Sequence, residues 1–236
     1  YELIARGLYM EDLVVQQRAA MDAYDPSRKI GLIIDEWGTW HPVEPGTNPA
    51  FLFQQNSLRD ALVAATTLDI FNRHADKVVM ANIAQTINVL QAMILTQEEK
   101  MLVTPTGYVY EMYAPHQGGT SLRTVIESDA ATYTAAGKAQ QVATVSGSAS
   151  RTGKVLFLTL TNAHATDAVE VTVDLLGGAQ AAGGAARILS GEIHTHNTFD
   201  APETLTPRPY AIDATGASFV ITLPPASVLA AEIALS

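Results

Sequence analysis

The hydrophobic pattern of this chain changes period near Met112, and that change constrains the fold more than any single motif. Before it, helical spacing alternates with short continuous apolar runs. Leu3, Met10, Val14 and Met21 recur at helical spacing, "DPSRK" interrupts them, and the run "IGLII" follows. A polar, Pro-rich stretch, "HPVEPGTNPA", comes next. A second helix is expected from about Gln54 to His74, with Leu58, Leu62, Ala65 and Leu68 on one face, and then the apolar run "KVVMANIA". Helix–strand–helix–strand order with continuously apolar strands implies a parallel sheet covered by helices.

After Met112 the spacing becomes two. "VLFLTLTN" alternates, and "AVEVTVDL" puts Val169, Val171, Val173 and Leu175 on one face and Glu170, Thr172 and Asp174 on the other. "SFVITLPPASVLAAEIAL" supplies two more alternating runs, split by Pro224 and Pro225. Short alternating strands separated by Gly, Asn and Asp indicate an antiparallel sandwich. The small, biased segment "GGAQAAGGAA" reads as a loop. The change of character falls between residues 112 and 125.

With 236 residues the chain holds material for one large domain or two small ones. Its net charge of -10 argues against nucleic acid or an anionic membrane as partner. Zero cysteines exclude a disulfide scaffold, a thiolate metal site and a cysteine nucleophile. No apolar run approaches the roughly 18–20 residues of a membrane span. The first residues, "YELIARGLYM", carry no initiator Met and are already helical in pattern, so the chain is expected to start inside a longer polypeptide.

The run "IGLII" ends in Asp35 and Glu36, with Trp37 and Trp40 close behind. A carboxylate there needs a reason, because burying one without partners is costly. In (β/α) barrels the active site lies at the C-terminal ends of the parallel strands, which is where Glu36 stands. The plainer reading is a strand-end ion pair. Against it stand the apolar strand, the neighbouring aromatics of the type that stack on sugar faces, and a following loop too long for a minimal connection. Asp35 is expected to be structural or to tune Glu36, since neighbours in a strand point to opposite faces.

The stretch "GLIIDEWGTWHPVEPGTNPAFLFQQNSLRDALVAATTLDIFNRHADKVVMANIAQTINVLQAMILT" closely resembles glycoside hydrolase family 51, the α-L-arabinofuranosidases. The likeness continues through "MLVTPTGYVYEMYAPHQG", "SGEIHTHNTFDAP" and "LPPASVLAAEI", and is weakest between about residues 120 and 150. It implies an α/β plus all-β chain: the last part of a (β/α)8 TIM barrel, strands seven and eight with flanking helices over 1–115, followed by a jelly-roll-like β-sandwich over 116–236. It implies a retaining, exo-acting enzyme that removes terminal non-reducing arabinofuranosyl units from arabinan, arabinoxylan or their oligosaccharides. Glu36 matches the nucleophile at the end of the seventh strand. Gln85 matches a glutamine that hydrogen-bonds the sugar, its plainer reading being a satisfied residue in a helix cap. Trp40 matches an aromatic that walls the subsite, and Trp37 is expected to pack beside the nucleophile. Double displacement by two carboxyl groups needs no cofactor. Bacterial members of this family are generally intracellular and often hexameric, so the resemblance implies a cytoplasmic homo-oligomer.

The family's acid/base glutamate lies in an Asn-Glu pair on an earlier strand, and this chain has no such pair. An upstream barrel segment carrying it is therefore an expected partner, since two strands cannot close an eight-stranded barrel. Two other readings stay open: a non-catalytic structural or carbohydrate-binding fragment, and another retaining glycosidase of the same barrel clan. Residues 120–236 hold no Trp and only Tyr133, Phe157, Phe199, Tyr210 and Phe219 as aromatics, which is thin for a sugar platform. "HTHN" at His194–Asn197 shows only two ligands in loop-like sequence, so no metal site is expected. His74 reads as a helix-end residue and His116 as a surface-loop residue. Gly177-Gly178 and Gly183-Gly184 do not fit a phosphate loop.

Overall fold

The computed structural model describes residues 1–236. Two helices, α1 (Glu2–Leu8) and α2 (Met10–Tyr24), precede β1 (Leu32–Trp37). A long loop leads to α3 (Leu58–Arg73) and β2 (Val78–Ile83), then to a hairpin, β3 (Ile94–Gln97) and β4 (Lys100–Val103), and to α4 (Pro105–Tyr113). β1 and β2 pair in parallel, with Ile34 opposite Ala81 and Trp37 opposite Ile83. This is a partial (β/α) barrel.

α3 starts later than its periodicity suggests. Ser57 and Asp60 form a capping box that sets the first turn at Leu58, leaving Gln54–Asn56 in the loop. Nor is α3 buried on one face only, for twelve of its sixteen residues are buried. One side meets β1 and β2, while the other meets the β-rich half of the chain. At the far end, His74 caps α3 and contacts Glu11 Oε1 at 2.6 Å, and the fully buried Lys77 lies 3.2 Å from Asp22. These pairs hold α2 beneath the N-terminal ends of the strands.

The β-rich half contains β5 (Thr120–Leu122), β6 (Ala130–Ala135), β7 (Lys138–Ala143), β8 (Val145–Thr152), β9 (Val155–Asn162) and β10 (Val169–Asp174). It continues with β11 (Ala181–Ser190), β12 (Arg208–Tyr210), β13 (Thr215–Gly216), β14 (Ser218–Leu223) and β15 (Ser227–Leu235). The main sheet runs β12-β11-β15-β9-β8-β5, with β13 on the edge of β11, and all its pairings are antiparallel. β10 and β14 pair as a second layer, and Val169, Val171 and Val173 pack with Phe219, Ile221 and Leu223 in the core between the layers. The two-residue alternation read from the sequence places these side chains correctly.

"GGAQAAGGAA" is not simply a loop. Gly177 and Gly178 turn the chain, but from Ala181 onward the segment is β11, paired with β15 along its length. Small side chains are required because the strands come close: a Cβ on Gly184 would lie 2.8 Å from Glu232 O. Tertiary pairing outweighs the poor strand propensity of Ala and Gly.

His116 is also not a surface-loop residue. It is half-buried between the halves of the chain, with Nδ1 2.7 Å from Ser150 Oγ and Nε2 3.1 Å from Thr159 Oγ1. Beside it Asp69 of α3 is buried and accepts hydrogen bonds from Ser146, Ser148 and Tyr113. Burial pushes the Asp69 carboxyl up to about 6 from 3.8, although the three hydroxyls pull it back. Burial pushes His116 down to about 4 from 6.5.

These two shifts oppose each other in their effect on stability. Folded Asp69 holds a proton that the unfolded chain has released, so its contribution falls as pH rises from about 4 to 6. Folded His116 stays neutral where the unfolded imidazole is charged, so its contribution rises over about 4 to 6.5. Each is on the order of 3 kcal/mol, and the two act in opposite directions. In urea unfolding, Asp69→Asn is expected to gain on the parent as pH rises through this window, and His116→Gln to lose on it. A difference from the parent that is independent of pH would show that the group does not titrate there.

Candidate active site

β1 brings two carboxylates to its C-terminal end. Leu32 and Ile34 pack toward the helices, and Trp37 is buried among them, edge-on to Phe71 at 5.3 Å and stacked with Tyr110 at 6.3 Å. Strict alternation from Ile34 would put Glu36 on that helix-covered side and Trp37 on the open side. A register irregularity between Ile34 and Trp37 reverses the phase. Trp37 is thereby anchored inside and Glu36 is exposed. Bulges of this kind re-aim a side chain next to a site. Asp35 is exposed as well, so alternation cannot be used to separate the two carboxylates.

Gln85 follows β2 directly. The Ala84 N–H donates to Trp37 O at 2.9 Å, tying the two strand ends together between Glu36 and Gln85. The Ala84–Gln85 peptide is cis. Gln85 is exposed and lies in a loop, not in a helix cap. Its backbone is held by Val89 O and by the Met93 N–H, both at 3.2 Å. Trp40 is 67 % exposed in the loop after β1, rather than packed in a core. Phe51, in the same loop, is 68 % exposed and is a second aromatic that the sequence reading passed over. Glu36, Gln85, Trp40 and Phe51 thus all belong to segments at the C-terminal ends of β1 and β2.

A buried polar network holds this end of the sheet, and sequence reasoning missed it. Asp60 Oδ1 accepts from the Thr39 hydroxyl at 2.9 Å and lies 2.8 Å from His41 Nε2. Its Oδ2 accepts from the Ser57 N–H at 2.8 Å and from Arg59 at 3.0 Å. Burial alone would raise the Asp60 carboxyl. The His41 hydrogen bond, the Ser57 N–H and Arg59 together outweigh it and leave it below the usual carboxylate range. Gln54 accepts from the His41 N–H at 2.8 Å and donates to Thr39 O and to Asn56. The available signal was Ser-x-x-Asp at Ser57–Asp60, which places Asp60 in a helix's first turn.

The loop containing "HTHN" serves this same region. Its Thr195 and Ile193 carbonyls accept from the N–H groups of Leu58 and Arg59 at 2.9 and 2.8 Å. They satisfy the first turn of α3, which would otherwise leave orphan donors in a buried place. Asn197 is buried and bonds Val103 O, Leu205 O and the Leu205 N–H. A cleft of about 510 Å3 lies at the opposite end of α3, around Asn72, Arg73 and Asp76. The bottom of a barrel is its stability face, so this cleft is not the site.

Residues 35–227 match the model of the α-L-arabinofuranosidase C-terminal domain. An intracellular exo-α-L-arabinofuranosidase of Bacteroides ovatus is 37 % identical over 236 residues, which is 99 % of this chain and 45 % of that protein. The crystal structure of the family 51 arabinofuranosidase from Xanthomonas axonopodis pv. citri superposes with a TM-score of 0.90 at 40 % identity, covering 97 % of this chain and 46 % of that one. A family 51 α-L-arabinofuranosidase from Bifidobacterium longum superposes with a TM-score of 0.82 at 26 % identity, covering 98 % and 48 %. The chain thus spans less than half the length of each of these relatives. On the strength of the matched model and these relatives, the chain belongs to the α-L-arabinofuranosidase C-terminal domain family, within glycoside hydrolase family 51.

Proposed function

We propose that this chain is the C-terminal part of a retaining, exo-acting α-L-arabinofuranosidase, with Glu36 as nucleophile, Gln85 hydrogen-bonding sugar hydroxyls and Trp40 lining the subsite. The observation that carries the reading is Glu36 itself, exposed at the C-terminal end of a parallel strand whose neighbour ends beside Gln85. In the first step the Glu36 carboxylate bonds to the anomeric carbon as the glycosidic C–O bond breaks. A carboxylic acid about 5–5.5 Å away protonates the departing oxygen. Water then attacks the glycosyl ester and frees Glu36. The substrates are terminal non-reducing arabinofuranosyl units of arabinan, arabinoxylan or their oligosaccharides.

The acid comes from an upstream barrel segment. Support for that partner is the open side of the two-stranded sheet, where Val79 is 65 % and Met80 52 % exposed and Ile33 is also uncovered. Unpaired parallel edges and bare apolar faces call for neighbours. In this reading β1 and β2 are strands seven and eight, the barrel portion is 1–115 and the sandwich 116–236. None of Tyr133, Phe157, Phe199, Tyr210 and Phe219 is exposed, which favours a structural sandwich over a sugar-binding one. The Bacteroides ovatus relative is described as intracellular, and a cytoplasmic homo-oligomer is proposed for the present enzyme too.

The test joins the chain to its upstream segment and supplies an α-linked arabino-oligosaccharide. Arabinose is expected to leave from the non-reducing end with its anomeric configuration retained, as followed by proton NMR. An inverted product, or no release, would contradict the proposal.

A further inference from the structure

Resting on the assignment of Glu36 and Gln85 above, we infer that Gln91 is the positioning residue that sets the geometry between them. Its side chain is fully buried. Oε1 accepts from the Thr39 N–H at 2.7 Å, three residues beyond Glu36. Nε2 donates to Asp60 O at 2.8 Å in the first turn of α3, and to Thr106 Oγ1 at 3.1 Å in the first turn of α4. The backbone N–H of Gln91 donates to Ala84 O at 2.7 Å, on the residue immediately before Gln85. One residue thus joins the end of β1, the end of β2 and the starts of both helices behind them.

The chemistry of this position calls for an amide. Thr39 N–H needs an acceptor, Asp60 O needs a donor, and both lie where water does not reach. Only Asn or Gln presents an acceptor and two donors on one planar group, and both Nε2 hydrogens are used here. The approach is also tight. Gly38 takes φ +141°, which side chains rarely adopt, and a Cβ there would lie 3.2 Å from Gln91 Oε1 and 3.6 Å from Ala84 O. The loop bearing Gln91 is itself fixed, because Asn56 donates to Leu90 O at 2.7 Å and the Leu90 N–H bonds Leu52 O at 3.0 Å. Gln91 touches no reacting atom. It acts through the strand ends that carry Glu36 and Gln85.

A residue that only fills and satisfies the interior would lower stability when replaced and leave each folded molecule fully active. A positioning residue would lower the rate per folded molecule, because a displacement of about 1 Å costs on the order of 100-fold. It would also make Gln85 matter less once removed, since Gln85 then no longer sits where its bond to the sugar is productive.

The experiment uses the complete enzyme and an arabinofuranoside with an activated aryl leaving group, with rates expressed per folded molecule. Gln91→Leu is expected to lower kcat/KM about 100-fold, mainly through kcat. Leu229→Ala, a cavity in the sandwich core, destabilises the protein and keeps the parent kcat/KM. Gln85→Ala is expected to lose less in the Gln91→Leu background than in the parent. Should Gln91→Leu fail to fold, Gln91→Glu is read in the same way, as it keeps the acceptor for Thr39 N–H and gives up the donor to Asp60 O. Parent-like kcat/KM in the folded Gln91 variant, or losses at Gln91 and Gln85 that simply multiply, would overturn the inference. Turnover that survives Glu36→Ala would overturn the underlying assignment along with it, which separates the two failures.

Discussion

Replacing Glu36 with Ala in the complete enzyme is expected to lower kcat by about four to six orders of magnitude, the range seen when a member of a nucleophilic catalytic unit is removed. Stability should hardly change. No hydrogen bond or ion pair within this chain depends on the Glu36 side chain, which is exposed at the end of β1. The signature of a nucleophile, as opposed to a binding residue, is chemical rescue. Azide is small enough to enter the space left by the carboxylate and to attack the anomeric carbon itself. With an activated aryl arabinofuranoside it should restore turnover and yield a glycosyl azide of inverted configuration. Steady-state assay of the variant with and without azide is the check, and substantial turnover without azide would remove Glu36 from its role.

The second large effect is on stability. Asp60→Ala is expected to cost about 3–5 kcal/mol in urea unfolding, the range for breaking a buried charge pair by deleting one partner. The lost carboxylate serves Arg59, His41, the Thr39 hydroxyl and the N-terminal donor of α3 at Ser57. Alanine takes the carboxylate from all four, and leaves the buried Ser57 N–H and Thr39 hydroxyl without the acceptor they use. Asp60→Asn keeps an acceptor while removing the charge, so its loss should be smaller. Because the folded carboxyl titrates below its unfolded value of 3.8, the stability it supplies is present above that pH and is lost as pH falls through the folded pKa. The penalty of Asp60→Ala should therefore shrink in acid. An alanine variant as stable as the parent at neutral pH would mean that the network around Thr39 contributes nothing.

Several parts of this architecture could be read before the structure, and for physical reasons. β9, β10, β14 and β15 each pack at least one face in a core, so burial wrote a period of two into the sequence. β11 wrote none. Its Gly and Ala residues are selected by the closeness of β15, a tertiary constraint that leaves no local strand signal. The prominence of Glu36 was legible because a carboxylate ending an apolar run demands an explanation. The irregularity that aims it was not, since nothing in "IIDEW" marks where the register shifts. Gln91 was out of reach for a different reason. Three of its four partners are backbone atoms, at Thr39, Asp60 and Ala84, and a backbone atom carries no sequence identity.

The central claim is that Glu36 forms a covalent bond to the sugar, and an intact-mass measurement tests it most directly. A 2-fluoro arabinofuranosyl donor with an activated leaving group needs little help from an acid, so the ester it forms reports the nucleophile alone. The complete enzyme should gain the mass of one fluorinated sugar, and peptide mapping should place it on Glu36, with no label in Glu36→Ala. A label on any other residue, or an active enzyme that takes up none, would contradict the account.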